Sequence, residues 1–344
     1  MVRRGVESSW RMGFVHGAVN ILAAMADDPL HAAATSPLAA PLLAPDAAAL
    51  GRRLERLATL AEPPWLHDEV ARRLGGKLAV IRARPARIVD WWSWAGAGAE
   101  VLRYAYPEAR LTAAEPTGAM LSRHALPGRR MSWLPARLGG GGRRESRVAA
   151  LLDADVPPAG ADLLWANMVL HAVHDPAALL ARWREALAID GLLMFSCLGP
   201  DTGRELQALY GELGWPPARQ DLQDMHDIGD QLVQAGFADP VMDMERLTLT
   251  WQQPEALLAE VHAWGGNAHP HRHAALRTPR WRKRLLAALE GRRRADGTLA
   301  LTVEVIYGHA VRPLPRARLQ AEATVSLDDM RAMTRAGRRQ AHRS

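Results

Sequence analysis

Residues 87–98 read Arg87-Ile88-Val89-Asp90-Trp91-Trp92-Ser93-Trp94-Ala95-Gly96-Ala97-Gly98. A short apolar run ending in an acid and then small residues is the pattern of a buried strand turning into a helix. An Ala- and Leu-bearing helical stretch follows as far as Tyr106, then a strand at Leu111–Glu115 and a helix at Thr117–His124. The alternation resumes with strands at Val148–Leu152 and Asp162–Ala166, a helix at Pro176–Leu187 and a strand at Leu192–Leu198. Strands interleaved with helices predict a parallel sheet covered on both faces, a doubly wound α/β fold. Upstream, Val70, Leu74, Leu78 and Ile81 recur at helical spacing, so a helix is expected over 68–82.

Beyond Pro200 the texture changes. Helices are expected at 228–235, 255–263 and 281–290, and strands at 241–251 and 299–310. Two late strands without tight βαβ spacing suit an antiparallel edge, with the intervening helices as a cap on the C-terminal part. The organisation expected is a poorly ordered Ala/Pro-rich lead-in over 1–50, a nucleoside-binding half over 51–200, substrate-side helices and final strands over 201–313, and an Arg-rich tail over 314–344. Translation is expected to start at Met25. The run Gly139–Gly142 is read as a flexible loop, because no Lys-Ser/Thr pair follows it as in a phosphate cradle.

Composition narrows the classes. Of 344 residues, 48% are hydrophobic and 23% charged, which excludes disorder and collagen. The single cysteine, Cys197, excludes a disulfide scaffold, and a reducing cytoplasm is the expected compartment. No apolar run reaches membrane-spanning length, and Ala23-Ala24 is a poor signal-peptide cleavage site. The net charge of +6 comes from 43 basic residues, all but Lys77 and Lys283 arginine, against 37 acidic ones. Basic residues crowd 272–294 with few aromatics among them, which fits an acidic protein partner better than nucleic acid. His269, His271 and His273 alternate without acid or cysteine partners, so no metal is expected.

In an open parallel sheet, ligands bind beyond the carboxyl ends of the strands, near the first βα turn. Here that turn is 90–98, and Glu115, closing the next strand, is placed to accept hydrogen bonds from ribose hydroxyls. The geometry suits a nucleoside.

Val89-Asp90, Gly96, Tyr106-Pro107-Glu108-Ala109-Arg110, Ala114-Glu115-Pro116 and Met120-Leu121 resemble the nucleoside-binding half of class I S-adenosylmethionine-dependent methyltransferases, whose sheet is Rossmann-like. Residues 164–171, Leu-Trp-Ala-Asn-Met-Val-Leu-His, resemble that class's fourth-strand motif. A sharper likeness lies in 195–206, Phe-Ser-Cys-Leu-Gly-Pro-Asp-Thr-Gly-Arg-Glu-Leu, with 224–230, Ala235-Gly236-Phe237, 264–267 and 304–310. Together these resemble the malonyl-acyl-carrier-protein O-methyltransferases of biotin synthesis over residues 65–313. One departure stands out: the family loop reads Asp-x-Gly-x-Gly-x-Gly, and Trp92 and Trp94 occupy its first two glycine positions. Either the loop is rebuilt around Gly96 and Gly98 and still binds the cofactor, or the indoles fill the nucleoside pocket and the chain is a catalytically silent relative.

What the resemblance implies is a cofactor, S-adenosylmethionine, with Asp90 orienting the loop and the methionine end, Gly96 passing close to it, Glu115 on the ribose, Asp153 near the adenine amino group and Asn167 at the mouth of the site. The acceptor is the free carboxylate of a malonyl thioester on an acidic acyl carrier protein, and a monomer suffices. A bidentate arginine should hold that carboxylate; Arg204 and Arg272 are the two candidates. His309 is a candidate substrate contact. The alternatives are a methyltransferase fold with a binding or chaperone role, and a likeness to complex I assembly factors that hydroxylate arginine.

Overall fold

The computed structural model describes residues 42–125, 149–273 and 275–315. They belong to one compact unit, 42–344. Met25, Gly139–Gly142 and most of the lead-in and Arg-rich tail lie outside the described residues.

Seven strands form one sheet: β1 Arg87–Trp91, β2 Arg110–Glu115, β3 Ala149–Leu152, β4 Ala161–Ala166, β5 Leu187–Leu198, β6 Ala238–Trp251 and β7 Leu299–Val311, in the order β3-β2-β1-β4-β5-β7-β6. The first five strands pair parallel, and β7 runs antiparallel to both β5 and β6. The doubly wound sheet with an antiparallel edge is therefore present, with β7 inserted between β5 and β6. Burial along the strands explains their places. The last eight residues of β5 are all buried, as in a strand covered on both faces. Along β6 half-buried and exposed residues alternate, as at an edge with one face in water.

Helices clothe the two faces. On one, α2 (Trp65–Gly76), α4 (Ala99–Ala105), α7 (Arg204–Glu212), α9 (Pro254–Ala263) and α10 (Pro279–Glu290) pack Leu66, Leu102, Leu209, Leu257 and Leu285 against Ile88, Leu163 and Val303. On the other, α6 (Pro176–Ala186) and α8 (Met225–Gln234) pack Leu180, Trp183 and Ile228 against Val89, Trp91, Leu164 and Phe195. Adjacent residues of one strand thus serve opposite cores, the period-2 signature of the sheet. Trp183 meets Trp91 edge-on at 6.3 Å and Phe195 at 6.0 Å, anchoring the second core with aromatic pairs.

Helix α1 (Ala47–Thr59) begins inside the stretch read as lead-in, so the expected limit at residue 50 falls within a helix. Its start is marked by Asp46, whose carboxylate accepts from the Ala49 amide at 2.7 Å. The expected limit at residue 200 likewise separates β5 from β7, its hydrogen-bonded neighbour in the same sheet.

Gly308 of β7 pairs with Phe195 and with Met242, and a Cβ added to it would overlap the Phe195 ring. Gly308→Ala is expected to destabilise the fold by about 1–3 kcal/mol, since a packed ring between two strands has little room to yield. Urea unfolding reads it, and an unchanged midpoint would show that the ring can step aside.

Candidate cofactor and substrate site

Beyond Trp91 the chain turns through Trp92 into one short helical turn, α3 (Ser93–Gly96), and then through Ala97 and Gly98 into α4. Trp92 has φ 57° and ψ 47°, and Ala97 φ 54°, so two residues with side chains adopt the left-handed conformation that favours glycine. That costs each about 1 kcal/mol or more. Compensating contacts hold Trp92 there. Its amide donates to the Ala114 carbonyl at 2.6 Å, and its indole N–H donates to Asp153 Oδ2 at 3.0 Å. The ring is buried beside Val89 and Ala114.

Trp94 goes the other way. Its ring packs with Leu57 and Ala58 of α1 and with Met120 of the short helix α5 (Gly118–Leu121), under the Arg123 guanidinium at 4.7 Å. Its backbone amide donates to Glu115 Oε1 at 2.7 Å. The two indoles therefore diverge, one toward the β3 end and one toward α1.

Asn167 follows β4 and is 1% exposed. Its Nδ2 donates to the carbonyls of Gly96 at 2.6 Å and His67 at 2.8 Å, while its Oδ1 accepts from Ser196 Oγ at 2.6 Å. One amide so ties the turn after β1 to α2 and β5. Gly96 leaves the space this needs: a Cβ there would lie 3.0 Å from the Asn167 carbonyl oxygen.

Two buried carboxylates flank the turn. Asp90 Oδ2 accepts from Ser93 Oγ at 2.6 Å, and Oδ1 has no hydrogen-bond partner among the described residues. Burial pushes its pKa up to about 7, against the pull of Ser93 and with a further push from Glu115. Glu115 Oε1 also meets His124 Nε2 at 2.5 Å, and Oε2 is buried without a partner among the described residues. Each acid thus keeps one buried oxygen without a hydrogen-bond partner among the described residues. The third acid differs. Asp153 already accepts from Trp92 through one oxygen and from Arg182 through the other, at 3.2 Å, so a nucleobase would have to take over the contact made by the Trp92 indole.

Across the turn, three basic side chains from α1, α2 and the segment after β4 gather out of water. Arg53 is 4% exposed and its Nη2 lies 3.2 Å from His171 Nε2. His67 Nδ1 lies 2.8 Å from the Ala95 carbonyl. Burial lowers all three, Arg53 to about 10, His67 to about 4 and His171 well below its ordinary value, with the Arg53 charge reinforcing the drop in both histidines. His171 also lines a cavity of about 180 Å³ with Leu170, Cys197, Leu198 and Gln220, across which residues 42–45 run. None of these three was singled out as functional in the sequence. The available signal was that Arg53 falls on the apolar Leu50, Leu54, Leu57 stripe of an amphipathic helix.

Asp90, Gly96, Glu115 and Asn167 are thus brought together around one turn, and Asp153 joins them through Trp92. Arg204, Arg272 and His309 are not. Arg204 is exposed at the start of α7, paired with Asp201 at 3.3 Å and Glu205 at 3.4 Å. Arg272 donates to the His269 carbonyl at 2.9 Å and faces Asp46 at 3.4 Å, stapling the start of α1. His309 pairs with Met194 in β5, whereas the carboxyl end of that strand, Leu198, pairs with Val305. The antiparallel direction of β7 therefore carries His309 away from the ligand-binding edge. Among the described residues no cluster of three or more His, Cys, Asp or Glu could hold a metal ion, and no helix is long and apolar enough to cross a membrane.

No family model matches the chain. A malonyl-[acyl-carrier protein] O-methyltransferase of Laribacter hongkongensis is 40% identical over 270 residues, covering 76% of this chain and 87% of that protein. Proteins of the same name from Gallionella capsiferriformans and Halorhodospira halophila are 38% identical over 264 residues and 35% identical over 248, covering 76% and 71% of this chain and 88% and 80% of their own lengths. Among solved structures, a putative methyltransferase from Bacillus halodurans is 12% identical at a TM-score of 0.47, over 72% of this chain and 100% of that one.

The buried acid of the turn makes a testable demand on pH. The native pKa of Asp90, about 7, lies above its ordinary 3.8, so the folded state holds the extra proton between those values. Its contribution to stability is therefore lost as pH rises through that window. Asp90→Asn should match the cofactor-free wild type near about pH 4 and exceed it at about pH 8, by up to about 4 kcal/mol. Denaturant titration at both pH values checks this, and a gap of equal size at the two would show that Asp90 does not carry the shift.

Proposed function

Since this chain belongs to the malonyl-[acyl-carrier protein] O-methyltransferase family, we propose that it methylates the free carboxylate of a malonyl thioester on acyl carrier protein, with S-adenosylmethionine as donor, in biotin synthesis. The observation that carries this reading is the pair of buried carboxylates, Asp90 and Glu115, each with one oxygen that no group among the described residues satisfies. When bound, the cofactor supplies a methyl group made electrophilic by a sulfonium. Glu115 Oε2 would accept from ribose hydroxyls, and Asp90 Oδ1 would face the cationic methionine end. Gly96 and Asn167 hold the turn that both flank.

The acceptor needs little help with protons. A malonyl carboxylate is ionised at neutral pH, so no base has to be found for it. What the protein must do is align the oxygen with the methyl carbon and keep water out. The closed polar network of Asn167, Gly96, His67 and Ser196 suits that demand, since it fixes the turn without mobile water-facing groups.

For the carrier, α10 offers exposed Arg280, Arg282, Lys283 and Arg284, the last stacked over Trp215 at 5.4 Å. Arg292 and Arg293 are less available, paired with Glu212 and Glu290. A basic helix face would guide an acidic carrier by long-range attraction. The rival reading, a silent methyltransferase fold, is favoured by one observation, the engagement of Asp153 by Trp92.

Methyl-labelled S-adenosylmethionine with malonyl-acyl carrier protein decides between them: ester formation and a cofactor-induced rise in unfolding temperature are expected in the wild type. Glu115→Ala should weaken cofactor binding by about 1–3 kcal/mol. No ester and no thermal shift, with a shift appearing in Trp92→Ala, would establish the silent fold instead.

The docking face is tested by salt. Turnover at low carrier concentration should fall steeply between about 50 mM and 200 mM ionic strength and lose that dependence in an Arg280→Ala, Arg282→Ala, Lys283→Ala variant. A flat salt response in the wild type would remove α10 from the encounter.

A further inference from the structure

Arg53 is a buried cation without a counter-ion among the described residues. Two half-buried arginines have acids near them. Arg73 meets Glu69 at 2.8 Å as well as Glu245, and Arg219, though its ion-pair partners stand farther off, feels Asp221, Asp201 and Glu304. Among the described residues, the titratable groups that act on Arg53 or feel its charge are Arg56, His67 and His171, none of them an anion. Its Nη2 reaches His171 and its Nε is buried with no hydrogen-bond partner among the described residues. Leaving a guanidinium unpaired away from water costs several kcal/mol, so a fold that keeps one there has a place for an anion.

His171 sharpens the point. Its Nε2 faces the Arg53 N–H, and its Nδ1 faces the Leu198 amide N–H at 3.3 Å. A neutral imidazole has one lone pair for two donors, so an acceptor is missing from this cluster.

The position is equally telling. His67, beside Arg53, holds the Ala95 carbonyl of the turn and lends its own carbonyl to Asn167. His171 forms part of the wall of the cavity of about 180 Å³, lined by apolar groups such as Leu170, Leu198 and Ile228 and, at its polar side, by Gln220 and Asp221. Arg53 therefore stands between the turn proposed to hold the methyl donor and, through His171, the wall of that cavity.

We propose that Arg53 receives the free carboxylate of the acyl thioester, with the chain lying in the cavity beside His171. The role expected of Arg204 or Arg272 thus passes to an arginine on α1. This rests on the methyl-transfer reading for the identity of the acceptor, though the anion site itself does not. On transfer, a carboxylate oxygen bonds the methyl carbon, the C–S electron pair stays on sulfur, and no proton moves. The acceptor loses its charge in that step, so Arg53 holds the acid substrate and releases the neutral ester. Because the guanidinium favours the charged ground state, its removal should appear in KM more than in kcat.

The test uses the full chain, Arg53→Met and Arg53→Lys, with malonate and with the malonyl and acetyl thioesters of N-acetylcysteamine as probes. Malonate and the malonyl thioester should raise the unfolding temperature of the wild type, the acetyl thioester should not, and Arg53→Met should respond to none. KM for the malonyl thioester should rise about tenfold or more in Arg53→Met and partly recover in Arg53→Lys, with cofactor affinity unchanged. Without ligand, Arg53→Met should be at least as stable as wild type, because an unpaired buried charge is gone; a merely structural arginine would lower stability and cofactor affinity together, and that result overturns the proposal. An unchanged KM in a folded variant overturns it as well. If the wild type binds malonate through Arg53 yet transfers no methyl group, the anion site stands and the methyl-transfer reading fails.

Discussion

The side-chain amide of Asn167 is the constraint on which the ligand-binding edge depends. With Nδ2 on the Gly96 and His67 carbonyls and Oδ1 under the Ser196 hydroxyl, it joins four segments that are distant in sequence. All of these groups are buried, so each is expensive to leave unpaired, and satisfied together they set one geometry. Ser196 Oγ in turn accepts from the Met168 amide at 3.0 Å, which steadies Met168 in a left-handed conformation at φ 61°. The sheet brings the strand ends together. The amide decides how the first turn sits on them.

That anchoring explains how a turn built for glycines tolerates tryptophans. Positive φ at Trp92 is unfavourable by itself, and the ladder bond to Ala114, the buried ring and the indole bond to Asp153 offset it. Trp94 adds what a glycine could not, an apolar face on which α1 packs. The substitution thus exchanges close backbone approach for side-chain attachment, and the exchange has a chemical side. The contact expected for an adenine amino group is made in this structure by an indole N–H, a donor of the same kind in a ring of similar breadth.

Much of the fold could be read from strand ends and helix spacing, because those signals are local. Val89-Asp90, Ala114-Glu115 and Ala166-Asn167 each put a polar residue at the carboxyl end of a buried strand, and such ends converge in any doubly wound sheet. Arg204 and Arg272 misled for a physical reason: their neighbours Asp201, Glu205 and, from far away, Asp46 take up their charge. His309 misled because strand direction is not local; only the pairing of β7 with β5 shows which end of the sheet it faces. Helix α1 was hidden by alanine. Ala47-Ala48-Ala49 resembles the Ala- and Pro-rich residues before it, and only the Asp46 cap separates them.

The consequence of that hidden helix is electrostatic. Asp90 responds to Glu115, His124 and Arg103, whereas Arg53 responds to Arg56, so the two buried charges lie in separate surroundings despite sharing the turn between them. One side of the turn is acidic, each acid with one oxygen unpartnered among the described residues; the other is basic, with no anion among them. A methyl donor that carries positive charge and an acceptor that carries negative charge would each neutralise the side it meets. Transfer then cancels the charge on both at once. A site whose two halves are each unfavourable while empty and jointly relieved by the two reactants binds the charged pair more strongly than the neutral products, which favours product release without any proton having to be moved.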